Sequence, residues 1–524
     1  MRLLWGGLSL VLMLSIGYFA LFHKSDVSDF PCAVEEADPC PGVSASEAKA
    51  RVWRALEELR QSTGKFTPAQ TFIVDTAAYS GAHSGGLSAA DAHFEQLLNR
   101  AMTFPTSKAK PSWEVEANYK DLLKIVDSQH KSQIFNALKQ YYEDACVWIQ
   151  SADGYSDREF SRYVFLSMLE NNLFELSLLA AEQGLTQSAF ALVDEIFEPV
   201  GTQSEEYHLA RAAVLIAAEN YAEAEVEYDA AEKPQGQGTP VSFESCMGNK
   251  SILDFRKKQS GRLLRAHRGE PDDAFVQDTL KILEGENHDD RERHEKVERV
   301  FDKALYTAGL DPADAKLLRH AALEKLLDVR ETHSESFGWF ARSGECYRTG
   351  DMECVRKIAE HLENVNDFAG GEFALHFASG AYAAAGDFDK VRSIMAKFED
   401  GYCLPFPYDA AAMGLSSEGK FNEARAWIFE WYACLPDTTF PAGPFPRSSQ
   451  SRLLTDASSS FHGLALKQLE ADPTAALIDA KRSVYIALEA QSAAGAEPNF
   501  ADAKQLAYTL GRLLALLSRI ETTE

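Results

Sequence analysis

The residues best typed for chemistry lie in Ala82-His83-Ser84-Gly85-Gly86. This run resembles a G-x-S-x-G nucleophile elbow with alanine in the first glycine position. An elbow needs a strand before the serine and a helix after it. Thr71-Phe-Ile-Val74 is the one short strand candidate, and seven residues separate it from the motif. A Gly/Ser-rich loop over 80–88 accounts for the same residues. A second cluster, His288-Asp289-Asp290-Arg-Glu292-Arg-His294-Glu295, has carboxylates and imidazoles dense enough to hold a metal. His294-Glu295-Lys-Val-Glu298 lacks the second histidine of H-E-x-x-H, and a solvated helix start explains it as well. A basic concentration, Arg256-Lys-Lys258 with Arg262, Arg265, His267 and Arg268, suits an acidic partner or lipid headgroups. The plainer reading is a helix face balanced by acidic neighbours. No G-x-G-x-x-G or G-x-x-x-x-G-K-[ST] is present. The sequence therefore assigns no catalytic residue, metal or cofactor.

The elements that would position any site read almost entirely as helix. Three segments align without gaps: Tyr347-Arg-Thr-Gly350-Asp351-Met352-Glu-Cys-Val355-Arg356, Ala383-Ala-Ala-Gly386-Asp387-Phe388-Asp-Lys-Val391-Arg392 and Ser416-Ser-Glu-Gly419-Lys420-Phe421-Asn-Glu-Ala424-Arg425. Their glycines are 36 and 33 residues apart. Two looser segments turn at Gly184 and at Glu219-Asn220-Tyr221 and carry Ala189 and Ala224. Each reads as a helix ending at a residue that tolerates left-handed backbone, a bulky side chain packing back across the turn, and a small or short residue that lets two helices approach. Leu362, Phe398 and Trp431 would close the far end of the hairpins.

On these residues the chain resembles the tetratricopeptide repeat (TPR) family, over roughly 168–232 and 336–434. The family's bulky first-helix position falls on Trp339, Leu375 and Tyr408, and its small positions on Ser343, Ser379 and Ala412 and on Val355, Val391 and Ala424. Its leucine position holds Arg342, Ala378 and Ala411, so the repeats are divergent. The resemblance implies an α-solenoid whose groove is lined by Phe337, Phe340, Tyr347, Arg348, Phe373, His376, Asp409 and Met413, a row suited to a docked protein or peptide. The same aromatics would also serve as packing between hairpins, and His376 as a structural histidine.

Composition bounds the rest. The chain has 524 residues, 45% hydrophobic and 25% charged, so it can bury real cores. A formal net charge of −27 disfavours nucleic acid as a partner. Arg2 precedes an apolar run from Leu3 to Phe22, long enough to span a bilayer and long for a cleavable signal. The reading is an uncleaved transmembrane helix, with a cleaved signal and secretion as the alternative. Positive charge before the span and the acidic stretch Asp26–Asp38 after it put the body on the periplasmic, lumenal or extracellular side. Eight cysteines fit that setting. Cys32 and Cys40 flank a short acidic segment, Cys346 and Cys354 straddle a turn, and Cys403 and Cys434 bracket a hairpin, while Cys146 and Cys246 have no evident pairing. Buried free thiols are the other reading.

The expected fold is therefore all-α: helical-hairpin repeats, a TPR-like α-solenoid, behind an N-terminal transmembrane helix. The expected organisation is a signal anchor over 1–23, a helical N-terminal region over 24–150, repeats over 151–235, irregular repeats or an insert over 236–330, a repeat triplet over 331–435, and a Pro-rich linker with capping helices near 452–492 and 499–520 over 436–524. The expected function is a membrane-anchored scaffold for protein–protein interaction, not an enzyme. Two alternatives remain: a hydrolase using Ser84, and a sensory ectodomain that encloses a small ligand.

Overall fold

The computed structural model describes residues 32–105, 112–151, 172–198, 204–232, 250–270, 272–285, 290–302, 307–327, 336–364, 371–397, 405–435, 450–495 and 498–523. The apolar run Leu3–Phe22 lies outside them. Among the described residues there is no strand, and no helix is long and apolar enough to cross a membrane. They form 22 α-helices: α1 Ala45–Ser62, α2 Pro68–Ser84, α3 Ala92–Ala101, α4 Trp113–Ile125, α5 Ser128–Ser151, α6 Asn172–Glu182, α7 Thr186–Phe197, α8 Glu205–Ala217, α9 Tyr221–Glu232, α10 Lys250–His267, α11 Asp273–Glu284, α12 Asp290–Asp302, α13 Pro312–Leu327, α14 Ser336–Arg348, α15 Met352–Asn364, α16 Gly371–Ala384, α17 Phe388–Met395, α18 Pro405–Ser417, α19 Phe421–Cys434, α20 Gln450–Gln468, α21 Pro473–Ala494 and α22 Phe500–Glu521. They fall into two compact units. One comprises Phe104–Gly371; the other joins the two ends of the chain, Met1–Thr103 and Glu372–Glu524. The N-terminal region expected over 24–150 thus divides near residue 103, and the expected repeat triplet contributes α14–α15 to the middle unit and α16–α19 to the end unit.

The hairpins share one turn. Gly184, Gly350, Gly386 and Gly419 have φ of +79°, +73°, +80° and +76°, and Glu219 holds the same place at +58°. At each, the residue's N–H donates to the carbonyl three back and the next N–H to the carbonyl five back, as in Gly350 to Tyr347 at 2.9 Å and Asp351 to Cys346 at 2.9 Å. This is a Schellman ending, which satisfies carbonyls that a helix end leaves open. Five residues on, Ala189, Ala224, Val355, Val391 and Ala424 are all fully buried. Trp339, Tyr408, Ser343, Ser379, Ala412, Leu362 and Trp431 are buried as well, so the aligned register is the packing register.

In the middle unit a disulfide staples the α14–α15 hairpin, joining Cys346 to Cys354 with Cα atoms 5.8 Å apart. Between α12 and α13 the chain breaks at Gly309 (φ +78°), and α13 begins at Pro312, as the Gly309-Leu-Asp-Pro312 sequence implied. The sequence did not reveal the turn at Gly269, which makes the same two hydrogen bonds between α10 and α11. Five residues later Ala274 is exposed, so this turn does not carry the repeat register.

In the end unit, α1 packs on α21 and α22, α2 packs on α22, and α20 packs on α21. Ser44 caps α1, its hydroxyl oxygen accepting from the Glu47 N–H at 3.2 Å, and Thr67 with Gln70 forms a capping box on α2. The expected helix over 452–492 is two helices, because Asp472 caps and Pro473 starts α21; proline fits the first turn of a helix and breaks an interior. A second disulfide joins Cys32 to Cys40. Cys434 is also disulfide-bonded, while Cys403, its expected partner, lies outside the described residues.

The strand expected at Thr71–Val74 is helix, and α2 is buried on every side from Phe72 to Tyr79. The glycines after it act in helix packing. A Cβ on Gly81 would stand 2.1 Å from the Tyr508 carbonyl oxygen, one on Gly511 2.2 Å from that of Ala78, and one on Gly85 2.6 Å from the Ala515 methyl. The backbones of α2 and α22 touch because these positions lack side chains. Gly81→Ala or Gly511→Ala is expected to cost about 1–3 kcal/mol by overpacking. Gly463→Ala, in a helix position with nothing within 4 Å, is expected to be neutral or to stabilise by up to about 1 kcal/mol. Urea unfolding of the three variants checks this.

Candidate functional site

The sequence-selected groove residues are split four and four between the units. In the middle unit, Tyr347 is 42% exposed at the end of α14, and Arg348 is exposed and paired with Glu345 at 2.7 Å. The side chains of Phe337 and Phe340 lie outside the described residues, as does that of Phe373. In the end unit, Met413 is 54% exposed on α18. Asp409 is half-buried and turned to α20, where the Ser460 hydroxyl donates to it at 2.6 Å. His376 is buried, and burial pushes its pKa down to about 3, so it is a neutral core side chain rather than a groove residue. The reason is α16 itself, which is covered on nearly every side from Ala374 to Ala383.

Ser84 is the last residue of a helix, not the apex of a strand–helix turn. Its hydroxyl donates to Gly81 O at 2.9 Å and lies 3.4 Å from the Tyr508 hydroxyl. Gly86, at φ +82°, ends the helix with the same Schellman bonds as the hairpins. The basic concentration on α10 is balanced by neighbours: Lys257 pairs with Glu205, Arg265 with Asp272 at 3.0 Å, and Arg268 with Glu225 at 3.0 Å and Glu270 at 2.8 Å, while His267 stacks on Tyr221. Of the 288–295 cluster, His288 and Asp289 lie outside the described residues, and no group that could hold a metal occurs among the described ones.

Two charge clusters in the end unit escaped the sequence reading. Asp479, fully buried on α21, accepts two hydrogen bonds from Arg425 (2.7 and 2.9 Å), one from Arg482 (2.6 Å) and one from Gln468 (2.6 Å). Arg482 also donates to Val34 O at 3.0 Å and Glu36 O at 2.7 Å, and Lys481 to Cys40 O at 3.2 Å. The disulfide-closed segment 32–43 is thereby fastened to α21. A cavity of about 480 Å³ opens beside this cluster, lined by Phe421, Asn422, Arg425, Asp472 and Arg482 among others.

The second cluster lies where α18, α20 and α22 meet. Burial, with the neighbouring Asp409 charge adding to it, pushes the Asp456 carboxyl up to about 7, although Arg452 and a hydrogen bond from Gln505 oppose the shift. Asp409 is raised by burial too. Perturbed carboxyls mark functional sites and also strained interiors.

The chain matches no known protein family, no curated relative and no solved structure.

Asp456 yields a pH prediction. Its folded pKa of about 7 lies above the ordinary value of 3.8, so the folded state holds the proton more tightly than the unfolded one. Its effect on stability is most favourable below about pH 4 and is progressively lost as pH rises through about 7. Asp456→Asn retains an acceptor for Gln505 and cannot ionise. The variant should unfold at a higher temperature than the parent at pH 8 and gain little at pH 4; thermal melts at the two pH values measure the difference.

Proposed function

We propose that the chain is a helical-repeat scaffold of TPR-like kind that binds a protein or peptide partner, its body held by an N-terminal membrane anchor on the non-cytoplasmic side. The observation that carries the reading is the shared register of five hairpins, each with a left-handed turn residue and a buried small residue five positions on. Hairpins of this kind bury one side of each helix against a neighbour and leave another free to bind. Tyr347 and Arg348 in one unit, and Met413 in the other, are exposed residues of types enriched at protein interfaces. The Cys32–Cys40 and Cys346–Cys354 disulfides support an oxidising compartment.

Crosslinking of the intact protein in its native membrane, read by mass spectrometry, tests the proposal. Recurrent crosslinks from residues 336–434 to one other protein are expected. Tyr347→Ala or Met413→Ala should weaken capture of that protein about tenfold, the effect of losing a central contact. Absence of any enriched partner would overturn the proposal.

A further inference from the structure

The middle unit contains a second cavity, about 550 Å³, between the first turns of α13 and the α14–α15 turn. Pro312, Ala315, Lys316 and Arg319 fall at helical spacing on one face of α13 and line one wall; Thr349, Gly350 and Asp351 line the other. Arg319 sets this cavity apart. It is 8% exposed, its Nε has no hydrogen-bond partner, and it makes no ion pair among the described residues. The contrast is Arg262, 4% exposed in the same unit, whose Nε donates to Ala308 O at 2.8 Å and whose guanidinium lies over the Phe275 ring. A guanidinium cannot lose its proton, so a buried one facing a cavity calls for an anion.

The rest of the wall agrees. Asp351 is the one carboxylate of the lining, and it is already engaged. It accepts from the Cys354 N–H at 3.3 Å as the cap of α15, sits 2.8 Å from His320 Nε2, and pairs with Lys316 at 3.5 Å. Burial works against its charge, yet the His320 hydrogen bond, the Cys354 N–H and the Lys316 charge hold its pKa below the usual range. Arg319 therefore keeps its positive charge uncompensated. Lys316 is half-exposed on the cavity wall, its ammonium 3.5 Å from Asp351. The α13 N-terminus adds the positive end of its dipole. Gly350, at φ +73°, has open space where a Cβ would stand.

From this geometry we infer that the cavity binds a small organic oxyanion, a phosphate monoester or a carboxylate, with Arg319 gripping the anionic head and Lys316 beside it. The volume is in the range of small-molecule sites and exceeds what a bare oxyanion needs. The site stands apart from the scaffold reading and does not depend on it.

Isothermal titration of the full chain with phenyl phosphate and with benzoate tests the inference, since the two probes share a body and differ in the anion. Saturable binding of at least one is expected. Arg319→Met should weaken it by at least about tenfold, the loss of a charged hydrogen bond. Lys316→Gln, at a half-exposed position that tolerates substitution, should weaken it about threefold to tenfold, and thermal unfolding of both variants confirms that they fold. Binding of phenyl phosphate alone assigns a phosphate ligand, and binding of benzoate a carboxylate. Binding of neither probe, or binding that Lys316→Gln and Arg319→Met both leave unchanged, would overturn it.

Discussion

Each repeated hairpin depends on one backbone residue in the left-handed conformation. A helix must end in a way that returns the chain antiparallel, and its last carbonyls must find donors. A residue at positive φ does both, directing its own N–H and the next onto those carbonyls. The second constraint follows at a fixed distance. The returning helix crosses the first about one turn in, at the fifth residue after the turn, and only a small or short side chain lets it approach. Four glycines and Glu219 meet the first demand, and three alanines and two valines the second. Where only the turn is present, as at Gly269, the residue at the fifth position is solvent-facing.

The end unit uses the same principle of close approach without the repeat. Gly81, Gly85 and Gly511 bring α2 and α22 into backbone contact, and the leucines of α22 from Leu506 to Leu517 are fully buried around it. Each such side chain contributes about 1.5–3 kcal/mol on burial. A segment from near the start of the chain and the last helix thus share one core. The Asp479 cluster fastens the segment 32–43 to that core through charge-assisted hydrogen bonds. Removing one partner of such a cluster leaves a buried charge uncompensated, so the network favours one arrangement over alternatives.

This division explains what the sequence disclosed. The all-helical class and the five hairpins were legible because turn and small residue sit at a constant offset, a local signal. Glu219 was legible only through its alignment with the glycines, since its type does not favour positive φ. The glycines of the Ala82–Gly86 run misled, suggesting a loop or an elbow. Gly85 of that run serves close packing against Ala515 on α22, more than four hundred residues away in sequence. Asp479 and Arg319 were illegible for the same reason. Nothing local distinguishes an aspartate with three partners from a solvated one, or an arginine beside a cavity from one on a balanced face. His376 was placed in the groove by register alone, whereas burial around α16 decides its state.

Replacing the turn residues tests the central constraint most directly, because both positions are sterically open. Glu219 is exposed, and a Cβ at Gly386 would meet nothing within 4 Å, so substitution there changes backbone preference and little else. In urea unfolding of the full chain, Glu219→Gly should stabilise the protein by up to about 1 kcal/mol and Gly386→Ala should destabilise it by about 1–2 kcal/mol. Loss of stability in Glu219→Gly, together with no change in Gly386→Ala, would contradict the account.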